Sequence, residues 1–210
     1  HYISNGIEFS KSPGFYGEEQ KIVVTSLTGL VLYYTLNGKT PKIGTSYTFR
    51  LTDTLNTVEM EPNQDMLVPS AHVSGDGTRH YWNKNAESPS NGHSIKVGSF
   101  LGDRLVKTTV ANYVISDVPP DTTITKVFLN VDRDKLFHQD SGMYVPGISP
   151  NEPAEQWENY FQRSTKWESL CHFQVIEGDK KLNYESTGEF RIFGLISRQN
   201  PQKSVKITAK

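Results

Sequence analysis

The chain has 210 residues, with 22 basic and 23 acidic side chains and a formal net charge of -1, so no overall field draws it to nucleic acid or to an anionic membrane. No apolar run approaches the roughly 20 residues that a membrane-spanning helix needs. A single cysteine excludes both an internal disulfide and a cysteine-rich metal site.

The opening His1-Tyr2-Ile3-Ser4-Asn5 is neither an initiator methionine nor a signal sequence, which reads as a chain processed or excised from a longer one. The length suits one large domain or two small ones of about 100 to 150 residues. Two are expected, over residues 1–118 and 119–210. From Ile7 to Ser116, short segments rich in Val, Ile, Thr, Tyr and Phe are broken by Gly, Pro, Asn and Asp about every ten residues, the spacing of an all-β sandwich. Predicted strands are Gln20 to Ser26, Val31 to Leu36, Ser46 to Leu51, Thr57 to Met60, Thr78 to Trp82, Ile95 to Leu101 and Val106 to Ile115. In the last of these, Val106, Thr108, Val110, Asn112 and Val114 share one face, and the alternation is incomplete.

Within Tyr33-Tyr34-Thr35-Leu36-Asn37-Gly38-Lys39-Thr40-Pro41, the Asn-Gly pair can supply the positive φ angles of a tight turn. This run, with Phe9-Ser10-Lys11-Ser12-Pro13-Gly14-Phe15-Tyr16 before it, resembles the chitobiase C-terminal-like domain, a module of the fibronectin type III and immunoglobulin kind. The resemblance covers about the first 115 residues and implies an N-terminal β-sandwich.

Asp117-Val118-Pro119-Pro120-Asp121 reads as a domain boundary, because consecutive prolines stiffen the chain and donate no ladder hydrogen bond. Beyond it the pattern predicts a strand at Ile124 to Val131, a helix from Asn151 to Thr165, and strands at 167–177, 182–193 and 203–209. Asn151 suits the helix cap, Glu152 the positive first turn, and Ala154, Trp157 and Phe161 recur at helical spacing. Cys171 alternates with Phe173 and Val175, so it is expected as a small core residue. The second domain is thus α+β and mostly antiparallel, and the whole chain is mainly β.

Hydrolase and zinc-protease signatures and a glycine-rich phosphate loop are missing. Asp132, Asp134 and Asp140 suggest calcium, but Leu136 occupies a position where an alternating loop of oxygen ligands needs a donor, so solvated acids are the expectation and no metal site is assigned. Tyr81 and Trp82 offer an aromatic platform for a sugar ring, with core packing as the competing reading.

The segment from Gly188 to Ile207 runs strand, basic turn, strand. In an extended chain Lys203 points the same way as Val205 and Ile207, and an ammonium at the rim of an apolar face either reaches water or holds a carboxylate or phosphate. Arg191 lies opposite Phe190 and Ile192, where a solvent-facing guanidinium is equally expected.

Arg191, Gly194, Ser197, Arg198, Pro201, Lys203 and Ser204 in that order resemble the CotH spore-coat kinase family. Two further segments are similar, Asp140-Ser141-Gly142-Met143-Tyr144-Val145-Pro146-Gly147 and Asn159-Tyr160-Phe161-Gln162-Arg163 with Lys166-Trp167-Glu168; Phe193 and Gln202 depart from the pattern. The resemblance implies the N-terminal part of a CotH-like atypical kinase domain, in a secreted or cell-surface protein. It further implies that Lys203, Arg191 and Arg198 face nucleotide phosphates, with ATP and magnesium bound in a longer chain. The family's catalytic acids belong to segments beyond the lysine strand, so no catalytic residue, bound cofactor or turnover is expected of these 210 residues. The alternative is a non-catalytic module that presents its surface to a polysaccharide or a partner protein.

Overall fold

The computed structural model describes residues 1–18, 20–51, 58–59, 71–73, 79–81, 91–115, 121–138, 140–145, 158–178, 181–198 and 203–209. The strands in chain order are β1 (Tyr2–Ser4), β2 (Ile7–Phe9), β3 (Gly14–Tyr16), β4 (Lys21–Ile22), β5 (Val24–Ser26), β6 (Val31–Thr35), β7 (Phe49–Leu51) and β8 (Val58–Glu59). They continue with β9 (Ala71–Val73), β10 (Arg79–Tyr81), β11 (Asn91–Leu101), β12 (Arg104–Ile115), β13 (Lys126–Val131), β14 (Ser169–Glu177), β15 (Lys181–Ile192) and β16 (Val205–Ala209). One short helix, α1 (Arg133–Phe137), follows β13. The chain is mainly β, and its strands pair mostly antiparallel. Among the described residues no helix is long and apolar enough to cross a membrane.

Two compact units form. The first contains residues 1–64, 89–130 and 173–185, and the second contains 65–88, 131–172 and 186–210. Of the stretch expected to divide the sequence, Asp117 to Asp121, residues 117–120 lie outside the described residues.

In the first unit a five-stranded sheet has the order β3-β12-β11-β6-β7. Its centre is the long β11–β12 hairpin, in register from Asn91 opposite Ile115 to Leu101 opposite Arg104, with a bulge between Ser99 and Phe100. Beside it, β1, β2 and β5 form a three-stranded sheet. Its first hairpin closes on Asn5-Gly6, where both residues have positive φ, 53° and 76°. At Asn37-Gly38 only the glycine does, and β6 instead pairs with β7 across a longer connection. Ile7, Phe9, Ile22, Ile95, Val97 and Tyr113 are buried in one core cluster. Residues 109–114 of β12 are all buried, which removes the in-and-out alternation expected there because both faces of the strand are covered.

A polar cluster also lies inside this unit. Gln174 is fully buried; its Oε1 accepts from Asn112 Nδ2 at 2.8 Å, and its Nε2 donates to Val110 O and Glu185 Oε2, each at 3.0 Å. The Tyr2 hydroxyl donates to the same Glu185 oxygen, and burial is the main cause that holds its pKa well above the usual phenol range. Strands β13, β14, β15 and β16 follow one another in that order in a four-stranded sheet.

In the second unit β16 pairs antiparallel with the end of β15, Gly188 opposite Ala209 through Ile192 opposite Val205. Asp132 caps α1 by accepting from Asp134 N at 2.9 Å, so its carboxylate has a local structural partner. After α1 the chain doubles back: Met143 N and Tyr144 N donate to Lys135 O and Leu136 O. Gly142 is required there, since a Cβ would stand 2.6 Å from the backbone of His138. Of the helix expected at 151–165, residues 151–157 lie outside the described residues. The remainder is two single 3-10 turns, Asn159–Phe161 and Thr165–Trp167, each flanked by extended backbone. Of the residues whose spacing suggested a helix, Phe161 is half-buried at the end of the first turn, beside the buried Tyr160, and Ala154 and Trp157 lie outside the described residues.

Candidate functional site

Lys203 and Arg198, two of the three side chains singled out from the sequence, are brought together in the second unit. Arg198 ends a 3-10 turn at Ile196–Arg198, and only 4% of it is exposed. Its Nη1 donates to Tyr160 O at 2.8 Å and Gln162 O at 3.1 Å, and its Nε donates to Gly194 O at 2.7 Å. A planar guanidinium suits this task, because its donors diverge in a fixed fork and reach several carbonyls at once. Gly194 makes the turn possible: its φ is +101°, and a Cβ there would stand 2.1 Å from Ser197 Oγ.

Lys203 precedes β16 and is 5% exposed. Its Nζ donates to Arg198 O at 2.8 Å and stands 4.1 Å from the Tyr160 ring centroid and 5.3 Å from that of Tyr144. Its backbone N donates to the Tyr144 hydroxyl at 3.1 Å. The ammonium is therefore held by a carbonyl and two aromatic faces. Burial pulls its pKa down to about 8, and the buried Glu158 opposes that shift. At neutral pH the amine remains mainly protonated.

The inward direction expected of Lys203 is present, but strand parity is not its cause. Val205 is 40% exposed and Ile207 only half-buried, so the apolar face proposed for them does not form. What encloses Lys203 is the aromatic pair from distant segments. The buried Glu158 also acts on the Lys203 charge; its place in the middle of a segment read as helix gave no signal of this.

Arg191 alternates with buried Phe190 and Ile192 as expected. Its side chain is 33% exposed, and Nη1 pairs with Glu168 Oε1 at 3.0 Å. The Arg198 pKa is lowered by burial first, then by the charges of Arg163 and Arg191, so each of those two guanidinium groups is within electrostatic reach of Arg198.

Other predicted residues separate. Cys171 is buried, as a core residue should be. Tyr81 lies in β10, and Trp82 lies outside the described residues. Among the described residues no group of three metal-ligating side chains stands together. In the first unit a cleft of about 460 Å³ is lined by Tyr2, Ser12, Pro13, Phe15 and Tyr16 with neighbours.

No family model, curated protein or solved structure matches this chain.

Proposed function

We propose that the second unit is a phosphate-binding element, part of an atypical kinase-like domain of the CotH kind, carried with a fibronectin-like sandwich on a secreted or cell-surface protein. The observation that carries this reading is the buried Lys203 side chain, its Nζ on Arg198 O and over the rings of Tyr144 and Tyr160, with the charge of the buried Glu158 favouring its protonated form. Phosphoryl-transfer enzymes use such a lysine, paired with an acid, to hold nucleotide phosphates. Lys203 takes the phosphates, Arg191 offers its exposed edge, and Arg198 positions both from beneath. With 5% of Lys203 exposed, an incoming phosphate takes the place of one of its present partners. The reading assigns binding to these residues and assigns no catalytic residue.

Calorimetric titration of the chain with ATP and magnesium tests it. Binding that weakens at least about tenfold in Lys203→Met, the loss of one charge-assisted contact, supports the reading. Equal affinity in the two proteins overturns it.

A second reading, a surface module for polysaccharide or protein, is favoured by the aromatic cleft of the first unit. Retention on an insoluble polysaccharide that disappears in Phe15→Ala would support it, and retention that persists in that variant would count against the cleft.

A further inference from the structure

An asparagine side-chain amide meets the backbone nitrogen of the next residue most readily when that residue is glycine, which has no Cβ to screen the nitrogen. The chain has three such pairs, Asn5-Gly6, Asn37-Gly38 and Asn91-Gly92. The fold treats them differently. Asn5 Nδ2 donates to Thr108 O at 2.9 Å and to Thr109 Oγ1 at 3.1 Å, so its side chain is pinned to β12. Asn91 and Gly92 lie in the ladder opposite Ile115 and Val114, where strand pairing fixes the backbone. At Asn37 the side chain folds back along its own chain: Oδ1 accepts from Lys39 N at 3.1 Å, an Asx turn. That turn carries the side-chain carbonyl over Gly38 N, which lies between the two bonded residues. It also aims the Lys39 N–H at the oxygen on which negative charge grows when the carbonyl carbon is attacked. Asn37 is partly exposed, and its Nδ2 makes no hydrogen bond among the described residues, so the amide nitrogen is not tied down as it is in Asn5.

We infer that Asn37 is a site of spontaneous deamidation, with the backbone N–H of Lys39 as the positioning donor. Solvent base takes the proton of Gly38 N, that nitrogen bonds to Asn37 Cγ, and the C–N bond of the side-chain amide breaks as the departing ammonia picks up a proton. Water then opens the cyclic imide at either carbonyl. One opening leaves Asp, and the other leaves isoaspartate, in which the main chain runs through the former side-chain carbon. The Asp product keeps the backbone path, and its carboxylate can still accept from Lys39 N. Isoaspartate adds a methylene to the main chain just before Gly38, whose carbonyl accepts from the buried Lys96 Nζ at 3.2 Å. The next carbonyl, of Lys39, accepts from Thr35 Oγ1 at 2.6 Å. Both acceptors are thereby moved away from donors that the five-stranded sheet holds in place. The modification is independent of the phosphate-binding reading.

The test is incubation of the folded chain in mildly alkaline buffer, sampled over time, digested with trypsin and read by mass spectrometry with chromatographic separation of the Asp and isoaspartyl peptides. Trypsin separates the three pairs, since Asn37 falls in the peptide 22–39, Asn5 in 1–11 and Asn91 in 85–96. A parallel sample in concentrated urea removes the fold and leaves the composition of each pair unchanged. In the folded chain Asn37 should react at least about fivefold faster than Asn5 or Asn91, the worth of one hydrogen bond in the transition state, and in urea the difference should vanish. Equal rates at Asn37 and Asn5 in the folded chain, a rate at Asn91 as high as at Asn37, or a ratio that urea leaves unchanged would overturn the inference. Asn37→Gln should abolish the product in its peptide. The thermal midpoint of the wild type should fall as isoaspartate accumulates while that of the variant holds steady, and parallel behaviour of the two would overturn the assigned effect on the Lys96 contact.

Discussion

The Lys203 ammonium stands 4.1 Å from the centre of the Tyr160 ring, and the backbone carbonyl of that same tyrosine is held by Arg198. One residue thus serves both cations, through its π face and its main chain. The arrangement keeps the amine inside the protein, where burial lowers its pKa and makes it sensitive to pH.

Lys203 is depressed in the folded protein, to about 8 from an ordinary 10.5. Between those values the unfolded chain binds the proton more than the folded one does, so this group's contribution to stability rises as pH increases through the window. Tyr2 and Tyr113 act oppositely above about pH 10, because their raised pKa values favour the neutral phenol in the folded state while the unfolded phenol ionises. Urea unfolding of wild type and Lys203→Met, compared from pH 7.5 to 10, isolates the lysine. The difference should shift in favour of wild type by up to about 3 kcal/mol. A pH-independent difference would contradict the buried, protonated lysine.

Arg198→Ala removes the donors serving the carbonyls of Tyr160, Gln162 and Gly194, and should cost about 2–4 kcal/mol. Arg198→Lys should recover only part of that loss, since a single ammonium cannot reproduce the planar fork. Denaturant midpoints for the two variants measure this, and full recovery by lysine would mean that charge rather than geometry holds the turn.

Gly194→Ala should destabilise by about 1–3 kcal/mol, from a left-handed backbone and from the overlap with Ser197 Oγ. Ser197→Ala removes the overlap and not the backbone strain. The double variant should therefore be more stable than the sum of the two single effects predicts, as a thermal-melt cycle would reveal.

Gln174→Leu leaves Asn112 Nδ2 without its acceptor and deprives Glu185 of a donor inside the first unit, for an expected cost of about 2–4 kcal/mol. Combined with Asn112→Leu the cost should be clearly less than additive, because the second change removes the stranded amide. Strict additivity would indicate that the two amides act independently.

Much of the fold was legible because strand propensity and turn chemistry are local. The runs at Val31, Ile95, Val106 and Ser169 carry β-branched and aromatic residues between Gly and Asn breaks, and each became a strand. The short strands β1 and β2 carry no such run, and Asn5-Gly6 between them has the same composition as Asn37-Gly38, yet only the first pair has positive φ at both residues. A two-residue turn is specified by its neighbours' pairing as well as by its own composition. At the candidate site Arg191 was readable from alternation, whereas Arg163 was quoted only as part of a motif, and nothing in its local sequence marks its neighbourhood.

The sequence by itself determined a mainly β chain, the cysteine as a core residue and the alternation that turns Arg191 away from Phe190 and Ile192, because each follows from a period of two along an extended backbone. Tertiary structure alone decided how alternating stretches of chain share out between two compact units, and which partners enclose Lys203. Those outcomes depend on contacts between segments tens of residues apart, and the enthalpy of such contacts is written in no local pattern.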